Sequence, residues 1–94
     1  MEMAKVIRCG VNSCIYNMDH CCHTIAITVG DGDQPRCDTF WHSTLKGGYA
    51  SSLAGVGSCK VSACRYNTKY ECQALGITVG YCDREPFCLS FELK

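Results

Sequence analysis

The sequence predicts a small, metal-stabilised, β-rich protein made of two tandem zinc-knuckle or ribbon-like modules, with short strands and little helix. Three observations carry this. First, the chain repeats itself. A shift of 50 residues lays Cys9 on Cys59, Cys14 on Cys64 and Cys22 on Cys72, and a shift of 51 lays Cys37 on Cys88. Self-similarity at a fixed period marks a repeated structural unit. Second, ten of the 94 residues are cysteine, a density typical of cross-linked or metal-held scaffolds. Third, each copy has fewer than 40 residues, and a chain that short needs a disulfide, a metal or a partner to fold.

The modules run over residues 5–41 and 56–92, with a linker over 42–55. Each opens on an extended segment in which valines flank the first cysteine: Val6, Cys9 and Val11, then Val56, Cys59 and Val61. Four residues separate the first two cysteines, small or polar ones among them: Asn12 and Ser13, or Ser62 and Ala63. That spacing suits a tight loop whose two sulfurs converge on one ion.

Tyr16-Asn17 and Tyr66-Asn67 follow the second cysteine. Asn tolerates a left-handed backbone, and its side chain can mimic a turn. The pair is therefore expected to shape and cover the loop, more than to form a recognition patch.

Ile25, Ile27 and Val29 alternate with Thr24, Ala26 and Thr28. The second copy sets Leu75, Ile77 and Val79 against Ala74, Gly76 and Thr78. Alternation of β-formers ended by Gly30 or Gly80 predicts a half-buried strand. Turn formers follow, Asp31–Pro35 and Asp83–Pro86, and the fourth cysteine with its Phe forms a last short strand. Each module thus reads as a two- or three-stranded meander with a knuckle loop.

The linker is rich in Gly and Ser and lacks cysteine. Fully flexible, it would span roughly 20 Å. Trp41, Leu45, Tyr49 and Leu53 recur every four residues, which would suit a helical stripe packed between the modules. Gly47 and Gly48 weaken that pattern, so packed and loose linkers both stand as expectations.

Compartment separates metal from disulfide. The opening residues Met1–Arg8 carry Glu2 and Lys5, and no apolar h-region follows. A secretory signal is not expected, nor is a membrane span. A cytoplasmic setting favours metal over disulfides. The spacings C-x4-C-x7-C-x14-C and C-x4-C-x7-C-x15-C then assign Cys9, Cys14, Cys22 and Cys37 to one Zn2+, and Cys59, Cys64, Cys72 and Cys88 to a second. Iron is the runner-up for four soft thiolates. A four-cysteine zinc site is coordinatively closed and therefore structural.

Cys21 and Cys82 align with Glu71 and Gly32, so neither belongs to the repeat. They read as spare thiols, with a reactive pair, or Cys82 in place of Cys88 as ligand, as alternatives. Cys88 is preferred because C-x-x-F recurs at Cys37–Phe40 and Cys88–Phe91. The run His20-Cys21-Cys22-His23 supplies donors for a further ion, but His20 and His23 have no counterpart in the second copy. Exposed turn histidines are the simpler reading, and His42 has no partner motif.

No catalytic triad order and no phosphate-cradling glycine loop is present, so the chain is not expected to be an enzyme. Nine basic and nine acidic residues balance, without a basic run. Eight thiolates contribute −8 and two divalent ions +4, leaving the loaded protein at −4 from a formal zero. A nucleic-acid partner is therefore not expected.

At these residues the chain resembles a short cysteine-rich family, domain of unknown function 1540 (DUF1540). The resemblance rests on C-x-V-x-x-C-x-Y-N, a further cysteine, I-x-V and C-x-x-F, over residues 6–40 and 56–91. In the first copy it covers Cys9, Val11, Cys14, Tyr16, Asn17, Cys22, Ile27, Val29, Cys37 and Phe40. In the second it covers Cys59, Val61, Cys64, Tyr66, Asn67, Cys72, Ile77, Val79, Cys88 and Phe91. Cys21 and Cys82 depart from the pattern. The family supplies no activity; the resemblance implies an intracellular bacterial protein, of a spore-former or anaerobe, with reduced thiols.

The expected function is accordingly a non-enzymatic tandem zinc-binding protein that presents a surface to an unknown protein partner or to itself. Metal storage is an alternative, weakened by the absence of C-x-C steps. A disulfide-linked redox or spore-layer protein is the other.

Overall fold

The computed structural model describes residues 3–31 and 34–94, Asp31 by its backbone alone. Among these residues the elements are all strands. The first repeat supplies β1 (Lys5–Cys9), β2 (Asn17–Met18), β3 (Cys21–Cys22), β4 (Ala26–Asp31) and β5 (Gln34–Cys37). The second supplies β6 (Gly55–Cys59), β7 (Asn67–Thr68), β8 (Glu71–Cys72), β9 (Gly76–Cys82) and β10 (Glu85–Cys88). Six strands close into one barrel in the order β1-β6-β4-β5-β10-β9, while β2–β3 and β7–β8 form small ribbons.

The strand order interlocks the repeats. The hairpins β4–β5 and β9–β10 lie within one copy each, as a meander requires. The first strand of each copy instead pairs with the other copy. β1 runs parallel to β9, with Val6 beside Ile77 and Cys9 beside Val79. β6 runs parallel to β4, with Val56 beside Ile27 and Cys59 beside Val29. Two antiparallel seams complete the ring, Lys5 with Gly55 and Arg36 with Phe87. At the second seam Arg36 also pairs with Glu85 at 2.8 Å. The physical reason for the exchange is edge closure: an isolated hairpin is marginal in water and leaves unpaired N–H and C=O groups, whereas a closed barrel leaves none. The strand pairing runs across the divisions expected at 42 and 55.

Backbone hydrogen bonds repeat across an approximate two-fold relation. Val6 N–H donates to Ala54 O and Val56 N–H to Ala4 O; Gly10 N–H donates to Val79 O and Lys60 N–H to Val29 O.

A bulge in each first strand aims the first cysteine inward. Side chains along a strand alternate, so Val6 and Cys9, three apart, would face opposite sides of a regular strand. The register shifts between Val6 and Arg8, and again opposite the Ile27/Thr28 step where β6 passes Gly57. The extra residue restores the inward face. Val6 and Cys9 are both buried, and Ile7 is exposed.

The core is small and almost wholly Val, Ile, Ala and Cys. Val6, Val11, Ile27, Val29 and their counterparts Val56, Val61, Ile77 and Val79 are all buried, with Ala4 and Ala54 beside them. Tyr16, Phe40, Tyr66 and Phe91 pack against this cluster from outside. Three expectations shift by a residue or more. Ile25 and Leu75 precede their strands and are exposed. The last strands stop at Cys37 and Cys88, so the Phe residues lie in the turns beyond. In the loop expected over Asp31–Pro35, Gly32 and Asp33 lie outside the described residues. Its counterpart turns at Asp83 and Arg84, both left-handed (φ 51° and 68°), the type I′ geometry that fits a two-residue hairpin.

The linker is neither a helix nor loose. Residues 43–54 lie as an extended strap along the first repeat. Gly47 N–H donates to Ile15 O, Tyr49 N–H to His23 O and Ala54 N–H to Cys22 O, each at 2.8–2.9 Å. Lys46 Nζ donates to the carbonyls of Asn12 and Cys14. Gly48 has φ +93°, and a Cβ there would lie 2.5 Å from the His23 carbonyl oxygen. The glycines that argue against a helix are thus what allows this close crossing. Trp41, Leu45, Tyr49 and Leu53 are exposed and form no packed stripe.

Candidate metal centres

Each repeat brings its four cysteines to one small cavity. In the first, Cys9 arrives from β1, Cys14 from the loop that follows, Cys22 from β3 and Cys37 from the end of β5. In the second, Cys59, Cys64, Cys72 and Cys88 arrive from the equivalent places. The cavities have volumes of about 10 and 20 Å³. All eight are free thiols.

Local hydrogen bonds explain how a short sequence does this. Cys14 N–H donates to Val11 O and Asn17 N–H to Cys14 O, which closes the loop around the second cysteine. Asn17 then turns its buried amide back, Nδ2 donating to Cys9 O at 2.8 Å. Asn67 does the same to Cys59 O at 2.9 Å. So the Asn of the Tyr-Asn pair ties the second cysteine's loop to the first cysteine's strand. The left-handed residues come two positions later, at Asp19-His20 and Lys69-Tyr70. These type I′ turns fold the ribbons back, and the carbonyls of His20 and Tyr70 accept from Cys9 N–H and Cys59 N–H. The ribbon pairing sets Asn17 opposite Cys22 and Asn67 opposite Cys72.

Burial dominates the acid–base character of the thiols. It pushes Cys37 up to about 12 and Cys22 to about 11, and the neighbouring cysteines of the same set push in the same direction. Cys88 rises to about 11, and Cys72 also rises, again chiefly through burial. The backbone N–H groups of Thr39, Thr24, Ser90 and Ala74 act the other way, since each donates to the sulfur two residues before it. Desolvation disfavours a bare thiolate, and hydrogen bonding to it offsets part of that cost. Without an ion Cys22, Cys37, Cys72 and Cys88 are therefore neutral thiols near pH 7. Among the described residues, no three His, Cys, Asp or Glu side chains stand close enough together to hold a metal ion as they are placed.

The walls come from both repeats. Val79 and Pro86 of the second line the cavity of Cys9, Cys14, Cys22 and Cys37. Val29 and Pro35 of the first line the other. No sequence signal marked these residues as neighbours of the opposite cysteine set, because the pairing of β1 with β9 and of β4 with β6 leaves no trace in spacing.

The remaining candidates lie apart. Cys88 lines the second cavity, and Cys82 is exposed at the end of β9. Cys21 is half-buried on β3 and lines neither cavity. His20 is exposed at its turn. His23 is buried and its Nδ1 bonds Ser52 O at 2.8 Å, which pins the strap. His42 is exposed and bridges to Cys14 through the backbone.

Fold and cysteines define a class: a small tandem-repeat strand barrel with a four-cysteine cavity in each repeat. The family model for Domain of Unknown Function (DUF1540) matches residues 7–40 and again residues 58–91. The chain belongs to this family and carries two copies of its domain, over most of its length. No curated protein and no solved structure matches it.

Proposed function

We propose that this is a non-enzymatic protein that binds two zinc ions, one held by Cys9, Cys14, Cys22 and Cys37 and the other by Cys59, Cys64, Cys72 and Cys88. The observation that carries the reading is the convergence of each four-cysteine set on one cavity. The donor chemistry fits. Four soft sulfur donors suit Zn2+ in a tetrahedron, with iron as the second choice. The backbone N–H groups already directed at four of the sulfurs suit anionic thiolates held on a cation. An ion supplies the charge that makes buried thiolates tolerable, and loading each site displaces the thiol protons.

Four protein donors close the coordination shell, so the ion builds the fold and the exposed surface does the biology, through a protein partner or a second copy of the chain. The setting is a reducing bacterial cytoplasm. Storage is the weaker reading, since the two cysteine sets line separate cavities. A disulfide-linked spore-layer or redox protein is the other alternative.

Titration of the reduced, metal-free protein with Co2+ tests the proposal. The expected result is two equivalents bound with the intense visible bands of a four-thiolate tetrahedral centre, displaced in full by two equivalents of Zn2+. Absence of those bands at any ratio would overturn it.

A further inference from the structure

The two cysteine sets are related by the repeat, but their coverings differ. In the first set all four cysteines are buried. In the second Cys59 and Cys64 are buried, while Cys72 and Cys88, the counterparts of Cys22 and Cys37, are partly exposed. The strap lies against the first repeat on the side of Cys14 and Cys22. It accepts or donates hydrogen bonds at Cys14, Ile15, Cys22 and His23, which are two ligand positions and the residues that follow them. On the second repeat residues 92–94 follow the course of 41–43, Arg65 N–H donating to Glu92 O and Lys94 N–H to Ala63 O. The chain after Cys88 borders a surface groove of about 440 Å³, bounded by Tyr66, Leu75, Leu89, Phe91 and Glu92. Leu75 on its rim is fully exposed.

We infer that the second repeat holds the exchangeable ion and the first a sealed one: Cys72 and Cys88 form an access point through which a small chelating ligand exchanges zinc, whereas the strap over residues 43–54 denies that access to Cys22, and Cys37 is buried in the core. This rests on the zinc reading above. In the exchange the incoming ligand's donor atom takes the position that one cysteine sulfur gives up, and the released thiolate takes a proton from water. Ligand exchange at a closed four-thiolate site requires that approach, and thiols react according to their access. The first repeat is then the permanent frame, and the second passes its ion on or responds to electrophiles.

The test uses the full chain loaded with two zinc ions. Excess 4-(2-pyridylazo)resorcinol reports release by colour, and pulses of N-ethylmaleimide with peptide mass mapping report which thiols are freed. The expected result is two phases differing at least tenfold in rate, with Cys72 and Cys88 labelled in the fast phase and Cys22 and Cys37 in the slow one. Gly48→Leu drives a side chain into the His23 carbonyl and lifts the strap, so it should bring the slow phase toward the fast. Release of both ions at one rate, or labelling of Cys22 and Cys37 first, would overturn the inference while leaving the zinc reading intact. An unchanged slow phase in a folded Gly48→Leu protein would overturn the role given to the strap. Failure to take up zinc at all would remove the reading beneath it, and the metal-free protein's labelling order would then test the difference in access by itself.

Discussion

Cys22 and Cys72 hold the same place in two copies of one motif, as do Cys37 and Cys88. The first member of each pair is buried and the second is partly exposed. The hydrogen-bond framework around them is nearly the same. Asn17 and Asn67 make the same tie, and the same left-handed turns close both ribbons. What differs is supplied from outside the motif, by the strap on one side and by Trp41 standing where the other repeat has Glu92. Glu92 accepts a hydrogen bond from Tyr66 and pairs with Arg65, and these two neighbours hold its carboxyl below the ordinary carboxylate range. A duplicated motif thus keeps its internal bonding while its surroundings diverge, and access to the cysteines follows the surroundings.

The largest effects should be equal in the two repeats, because the barrel is shared. Ile27→Ala and Ile77→Ala each empty a fully buried position on facing sides of one core. Each should cost about 2–5 kcal/mol, with one cooperative unfolding transition in denaturant in both variants. Two separate transitions, or a loss confined to one half, would break the picture of a shared barrel.

A smaller and unequal effect belongs to the glycines that end β-strand alternation in each copy. Gly30 has φ +121°, and a Cβ there would lie 2.9 Å from Lys60 Cβ and 3.1 Å from its backbone nitrogen. A Cβ on Gly80 would meet the Leu89 side-chain tip at 2.7 Å, which can turn away on an exposed residue. Gly30→Ala should therefore cost about 1–3 kcal/mol, and Gly80→Ala clearly less. Thermal melts of the two variants side by side measure the difference, and an equal loss would sink it.

Near neutrality the buried thiols should contribute almost no pH dependence to the stability of the metal-free protein. Cys37, Cys22 and Cys88 titrate at about 12, 11 and 11 when folded, against an ordinary value of 9.0. Above about pH 9 the unfolded chain loses these protons first and so binds fewer than the folded one, and stability falls as pH rises. The stabilisation is whole below 9 and is lost through 11–12. Zinc-loaded protein should show the opposite sign, losing stability as acid competes for its thiolates. Denaturant midpoints across pH, with and without zinc, check both slopes.

The sequence made the cysteine sets and the strands legible because both depend on local spacing. Cys9 to Cys14 is a loop closed by its own backbone, and Ile27-x-Val29 is a period of two. The inward aim of Cys9 and Cys59 was not legible, since it takes a bulge at Ile7 or Gly57 that no turn residue announces. Nor was the exchange of β1 and β6 between copies, because two identical edges accept either partner and closure of the whole ring decides. Neither the helical stripe of Trp41, Leu45, Tyr49 and Leu53 nor a loose linker anticipates the strap, because Gly48 and its left-handed backbone hold the real information.

The most direct test of two matched four-cysteine zinc sites is the intact mass of the native protein beside its denatured mass, with free thiols counted on each. The account predicts a native excess of two zinc ions and ten free thiols after denaturation. A metal-free native mass, with thiols missing after denaturation, would contradict it and turn the eight cysteines into disulfide partners.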